Sequence, residues 1–320
     1  MDVTRNMTIQ INGSKHMNET INNNLNLQII EWISFVILLG IVSLNILVMA
    51  LLLSRNRKSR MKFFVSNLAF ADLCVGIFYV LPETLFNRFK VPWNSHVCYI
   101  YYVYFSMVPF YVSTYAIVVL SIDRAYVILK PLAAASKGKK YRYGLALSAW
   151  VVGSLLAIPY GVFGFYVEDD IECKHTFPNI VAILYSDLSS IIITPVTMIT
   201  VCYIVIIITI RRRERYGFLQ GKNKDTNNHD NDCDVRDKSI SRAKIRTIKL
   251  LFVVVFAYII CWAPITVAAI LTHHKIAEPG LWFQVLFVLA PLNSLANPLV
   301  FLIFNKEMFL SKTKKRKLKN

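Results

Sequence analysis

Asp72 is the residue whose chemistry most needs explaining. It stands in Phe63–Phe86, a run that is apolar apart from Asp72 and Glu83. In a membrane helix a central carboxylate costs about 2.5–3.5 kcal/mol on insertion scales, so such a group faces the interior and finds partners. Other apolar runs of this chain supply neutral oxygen and amide groups at Asn45, Ser113, Asn293, Ser294 and Asn297. One carboxylate among several such groups suits a monovalent cation or a water cluster. A protonated Asp72 inside a hydrogen-bond network is the competing reading. A second pair of reactive groups is Asp123–Arg124, in "VLSIDRAYVILKP", where a run without charge from Val97 to Ile122 ends. Neighbouring helical residues project in different directions. Arg124 could therefore pair with Asp123 and still reach another helix, although a helix-end pair at a membrane interface explains the two equally well. Enzyme motifs of the HExxH, GxSxG or P-loop kind do not occur in a plausible context, so no catalysis and no cofactor is expected beyond that cation. His273 and His274 are adjacent and point differently, which argues against a metal site.

These groups must be positioned by membrane helices. The chain has 320 residues, is 55% hydrophobic and carries a formal net charge of +17. Those values conflict for a soluble protein and agree for apolar spans joined by basic loops. Trp32–Ser54, Val97–Ile122, Tyr143–Val167, Leu188–Ile210, Leu250–Thr272 and Pro279–Asn305 contain no Asp, Glu, Lys or Arg. Each exceeds the roughly 20 residues that cross a bilayer as helix. With Phe63–Phe86 they predict an all-α membrane protein, a bundle of seven spans over residues 29–304.

Basic segments follow spans one, three and five ("SRNRKSRMK", "KGKKYR", "RRRER"), and the C-terminus is "KTKKRKLKN". By the positive-inside rule the N-terminus is outside and the C-terminus cytoplasmic. Residues 1–28 read as a disordered outer tail, glycosylated at the sequons of Asn6, Asn12 and Asn18. Residues 305–320 read as a short amphipathic helix and basic tail on the inner leaflet, with lysines that favour anionic lipid. Charge confined to loops and tail gives no footprint for nucleic acid. Only Cys98 and Cys173 fall on the outer side, where oxidising conditions favour a bridge between them.

"SNLAFADL" in span two, Asp123-Arg124, "CWAP" in span six and "NSLANPLVF" in span seven together resemble a rhodopsin-like, class A G-protein-coupled receptor. Trp150, and Pro195 eight residues before Tyr203, strengthen the likeness, which covers about residues 32–310. Within the family, "RKSRMKFFVSNLAFADLCVGIFYVLPE", "SISRAKIRTIKLLFVVVFAYIICWAP" and "PVTMITVCY" are similar to the vasopressin and oxytocin receptor group.

The resemblance implies a plasma-membrane receptor for an extracellular ligand, expected to be a neuropeptide, that activates heterotrimeric G proteins. It implies that Arg124 is held by Asp123 at rest and released as span six swings out. Trp262 and Pro264 then match the pivot, and Tyr203, Asn297, Pro298 and position 301 match the switch of the inner half. Asp72, Ser113, Asn293 and Asn297 match a sodium pocket, to which Ser294 is added here. Tyr79, Glu83, Tyr102, Ser106 and Trp262 become the expected ligand contacts. Departures stand out. Ala125 replaces a tyrosine, Phe301 replaces the tyrosine of NPxxY, and Lys244 stands where some relatives carry an acid. Tyr79 and Glu83 replace two glutamines of the nonapeptide receptors, and an aromatic near Tyr102 replaces a lysine. Cys98 lies one residue further from Arg124 than usual, which implies a local bulge or register change. A receptor for a non-peptide ligand, and a transporter or channel, are the alternatives.

Overall fold

A computed structural model describes the backbone of residues 2–54, 60–168, 172–222 and 231–304, and the side chains of 26, 28–54, 60–99, 102–168, 173–213, 215 and 252–304. Among the described residues six helical stretches are long and apolar enough to cross a bilayer: Gln28–Leu53, Arg60–Arg88, Val108–Leu129, Lys139–Phe163, Ile180–Arg213 and Phe252–His273. A seventh span is the pair Leu281–Leu289 and Leu292–Phe304, bent by 41°. They are numbered one to seven in chain order. The bend in span seven falls at Pro291, which cannot donate the backbone hydrogen bond that would carry the helix through.

Polarity is inverted relative to a water-soluble fold. Trp32 is 60% exposed, Val36 64% and Leu147 61%, while Asn45, Asp72, Thr84 and Asp123 are 0% exposed. Apolar residues outside and polar ones inside are what a hydrocarbon solvent selects. Spans three and four approach closely at Gly153, where an added Cβ would lie 2.8 Å from the backbone nitrogen of Val112. Only glycine fits that contact, as small residues do where membrane helices touch.

Among the described residues four π-helical turns interrupt or precede the spans: Gly76–Val80, Glu83–Arg88, Val97–Tyr102 and Leu188–Ile193. A π turn accommodates one residue more than an α turn, and such turns gather at functional sites. Val97–Tyr102 carries Cys98, and a turn at 103–107 separates it from the helix Val108–Leu129. The bulge expected from the Cys98–Arg124 spacing is therefore present, and the single uncharged run Val97–Ile122 is two pieces.

Two other boundaries move. Gly164–Val167, expected as the end of span four, is strand β1, which pairs antiparallel with β2 (Glu172–His175). Pro159 starts a separate short helix, Ile158–Phe163, and the chain leaves the bundle after it. Span five begins at Ile180, not Leu188, so it includes Asp187. Cys173 on β2 is bonded to Cys98, with 5.6 Å between Cα atoms. This bond ties the hairpin to the top of span three. The first helix runs Asp2–Leu53, where an unstructured segment is expected up to residue 28. The side chains of Asn6, Asn12, Asn18 and Lys244, and the whole of 305–320, lie outside the described residues.

Candidate functional site

The bundle holds a cavity of about 260 Å³ in the half nearest the disulfide-tied hairpin. Tyr79 on span two, Ser106 and Phe110 on the third segment, Trp262 on span six and Phe287 on span seven line it, with Tyr102 above. Phe110 organises the floor. Its ring meets Trp262 edge-on at 5.1 Å and Tyr79 at 4.5 Å. Trp262 is buried, and its indole Nε1 has no hydrogen-bond partner. Below it the Tyr258 hydroxyl donates to the Ile191 carbonyl and lies 3.2 Å from Thr114 Oγ1. Pro264 lies inside the span-six helix, two residues beyond Trp262. It removes one backbone bond from the segment that carries the cavity floor.

Four of the five expected ligand contacts line this cavity: Tyr79, Tyr102, Ser106 and Trp262. Glu83 does not. Its carboxylate accepts from Asn87 at 2.6 Å and Tyr102 at 3.3 Å, and lies 3.4 Å from Arg88. Of the two partners possible for Glu83, a ligand cation or a nearby base, the structure forms the internal pair with Arg88. The wall instead receives a carboxylate from Asp187 of span five. Tyr111 donates to it at 2.5 Å, and Tyr160 donates to its other oxygen. His175 of the disulfide-tied hairpin closes the top, its Nε2 3.1 Å from the Val103 carbonyl. Burial lowers the His175 pKa from its ordinary 6.5, so the ring is neutral at physiological pH.

At mid-depth Asp72 is fully buried and accepts from Ser113 at 2.6 Å and from Asn297 Nδ2 at 3.0 Å. Asn45 donates to the Ile41 and Ser294 carbonyls at 2.9 and 3.0 Å. The amide oxygens of Asn45, Asn293 and Asn297 are buried without a partner. A cavity of about 20 Å³ touches Asn45, Asp72, Asn297, Pro298 and Phe301. That is room for roughly one water-sized sphere. Asp72 is thus met by a hydroxyl and an amide nitrogen, and the wall of this small cavity is apolar.

At the end of the bundle opposite the hairpin Asp123 is fully buried between two arginines. Arg124 Nη2 is 2.8 Å from Oδ2, and Arg60 Nη2 is 2.5 Å from Oδ1. Arg60 also donates to the Ala134 carbonyl at 2.5 Å, and its guanidinium lies 5.6 Å from the Tyr141 ring centre. Tyr203 of span five packs its ring 6.1 Å from Phe252 of span six.

Polar groups strung along the axis of seven apolar helices, with an arginine locked at one end and a cavity at the other, describe one architecture. The model of the family described as 7 transmembrane receptor (rhodopsin family) matches residues 44–301. The chain belongs to the rhodopsin family of seven-transmembrane receptors. It is 29% identical over 294 residues to the mesotocin receptor of Rhinella marina, covering 87% of this chain and 74% of the relative. To the vasopressin V1b receptor of Mus musculus it is 27% identical, covering 82% and 69%. To the neuropeptide S receptor of Rattus norvegicus it is 31% identical over 275 residues, covering 78% and 70%.

Sequence reasoning placed this receptor's axial residues but missed Asp187, Tyr160, His175 and Arg60 as site residues. Asp187 was the most accessible of these. It is an acid eight residues before Pro195, about two helical turns outward.

Proposed function

We propose that this receptor binds an extracellular peptide in the outer cavity and activates heterotrimeric G proteins at the opposite face. The observation that carries the reading is the pairing of a floored outer cavity with a locked Arg124 on one bundle. The mesotocin, vasopressin and neuropeptide S receptors support the peptide class. Basic loops after spans one, three and five support a cytoplasmic face that carries Arg124, with the N-terminus on the other side; a plasma-membrane location is part of the proposal. A ligand acts by binding the open arrangement better than the closed one, which shifts an existing equilibrium. Trp262 and Phe110 touch the cavity floor. A ligand pressing there bears on span six next to Pro264, and the inner end of that span is free to tilt away from Arg124. Sodium is the cation we propose for the middle site. Asp72 and Ser113, with the free amide oxygens of Asn45, Asn293 and Asn297, would hold it. The cation would neutralise the buried carboxylate and favour the closed packing.

A second reading is a small non-peptide ligand. A volume of about 260 Å³ favours it, being just below even the roughly 300–1,000 Å³ of pockets for drug-sized ligands. Screening a neuropeptide library and a small-amine library for agonist-dependent nucleotide exchange in receptor membranes tests both. A peptide response supports the first reading, and a response to amines alone replaces it with the second. Ligand-driven flux with no nucleotide exchange would mark a transporter instead.

A further inference from the structure

We propose that Asp187 is the anionic anchor of the outer cavity and selects ligands that carry an organic cation, an ammonium or a guanidinium. The inference rests on the reading of that cavity as the ligand site. Its first support is placement. Asp187 lines the cavity from span five, and the hydroxyls of Tyr111 and Tyr160 hold one oxygen each. A carboxylate accepts about four hydrogen bonds, so two well-oriented lone-pair directions remain. The tyrosines fix the orientation of the group.

The second support is the absence of a counter-cation. Among the described residues the ion pairs formed join Arg60 and Arg124 to Asp123, and Arg88 to Glu83. Asp187 is in none of them. His175 lines the same cavity, yet burial keeps its ring neutral. A carboxylate away from water and without a cation is costly, and a cation from outside removes that cost.

The third support is the wall opposite. Tyr79, Tyr102, Phe110, Trp262 and Phe287 present rings to the same space. Aromatic faces attract ammonium and guanidinium groups within about 6 Å of their centres. A cavity of about 260 Å³ holds one such group on a short stem. The cation can belong to a peptide, as an Arg or Lys side chain or an amino terminus, or to a free amine. The chemistry is the same.

The test uses benzamidine and benzamide, which have nearly the same shape and differ in charge. Thermal unfolding of the full-length detergent-solubilised receptor is followed at about 10 mM of each. Benzamidine is expected to raise the midpoint by about 2–4 °C and benzamide not to raise it. Asp187→Asn should lose the shift, and Asp187→Glu should keep part of it. Equal shifts from the two probes, no shift from benzamidine, or an unchanged shift in Asp187→Asn would each overturn the anchor. Should Asp187→Asn fail to fold, Leu184→Trp narrows the same cavity with Asp187 intact. Loss of the benzamidine shift there places the probe in the cavity, and its retention overturns the proposal. Paired amidated peptides ending in Arg or citrulline separate the sources. A tenfold preference for Arg over citrulline supports a peptide cation, and equal weak binding of both beside a benzamidine shift supports a free amine. The readout needs no G protein. A charge-dependent shift without nucleotide exchange to any ligand would sink the signalling reading and leave the anchor standing.

Discussion

Arg60 Nη2 lies 2.5 Å from Asp123 Oδ1, so the carboxylate that holds Arg124 is itself held from span two. The two arginines divide one buried acid, each taking one oxygen. Asp123 also lies in the core of span three, and its charge has no access to water. The arrangement is a clamp with its lock on one helix and its keeper on another.

Breaking the clamp should release Arg124. Asp123→Asn removes two charge-assisted bonds, each of a class worth about 1.5–3 kcal/mol. Agonist-independent nucleotide exchange is expected to rise about tenfold or more, with lower surface expression, because two arginines are left without their counter-charge. Arg124→Ala should abolish exchange while ligand binding at the far end stays measurable. Assays in membranes at matched receptor density check both. Full signalling by Arg124→Ala would contradict the role.

Asp72→Asn tests the middle site. Asn297 donates to Asp72, and its own amide oxygen is unpartnered. A neutral amide at Asp72 keeps an acceptor for Ser113 and removes the charge a cation needs. In the parent, sodium is expected to weaken agonist affinity, because the ion prefers the closed packing. In Asp72→Asn the affinity should be the same with sodium and with an organic monocation. Radioligand competition in the two salts decides it, and equal sodium dependence in both proteins removes the site.

The axial residues were legible because the bilayer makes their cost visible. A carboxylate such as Asp72 in a span must have partners, and the only candidates are the polar residues of other spans. Asp187 was legible as an acid at the edge of a span but not as a cavity residue, because a span delimited by its lack of charge ends at the acid itself. Arg60 was hidden among the five basic residues of "SRNRKSRMK", where every charge reads as topological. The π turns were hidden for a different reason. Hydrophobic periodicity cannot distinguish an inserted residue from a rotated helix, and only the Cys98–Arg124 spacing betrayed one of the four. Glu83 and Arg88 depend on such a turn. They are five residues apart, which an α-helix places on different faces and the π turn Glu83–Arg88 brings together.

Glu83→Gln should therefore act on stability more than on affinity. The amide keeps a contact to Asn87 and Tyr102 but leaves Arg88 unpaired in a half-buried site. The thermal midpoint is expected to fall by a few degrees, with agonist affinity within about threefold of the parent. Asp187→Asn should give the opposite pattern. Saturation binding and thermal unfolding on both variants check the contrast. A large affinity loss in Glu83→Gln with unchanged stability would restore Glu83 as the ligand contact.

His175 gives the hairpin a pH dependence of known sign. Its ring stacks on Phe177 at 6.0 Å and 7° and meets Tyr160 edge-on at 5.6 Å. Burial is the largest influence and lowers its pKa, and the bond to the Val103 carbonyl opposes this only in part. The folded state thus binds the imidazole proton less readily than the unfolded chain, whose histidine titrates near 6.5. Between the lowered value and 6.5 the unfolded state carries more protons, so stability rises with pH there. The contribution is fully present above about 6.5 and is lost as pH falls through the window below it. Lowering pH from about 7.5 to 5.5 should reduce the parent's thermal midpoint. His175→Phe, which keeps the stack and cannot charge, should lose less over the same range. The difference between the two curves isolates this ring from the carboxylates that also titrate. Parallel curves for parent and variant would mean that His175 is free to charge where it sits, and that the hairpin does not hold it in an apolar stack.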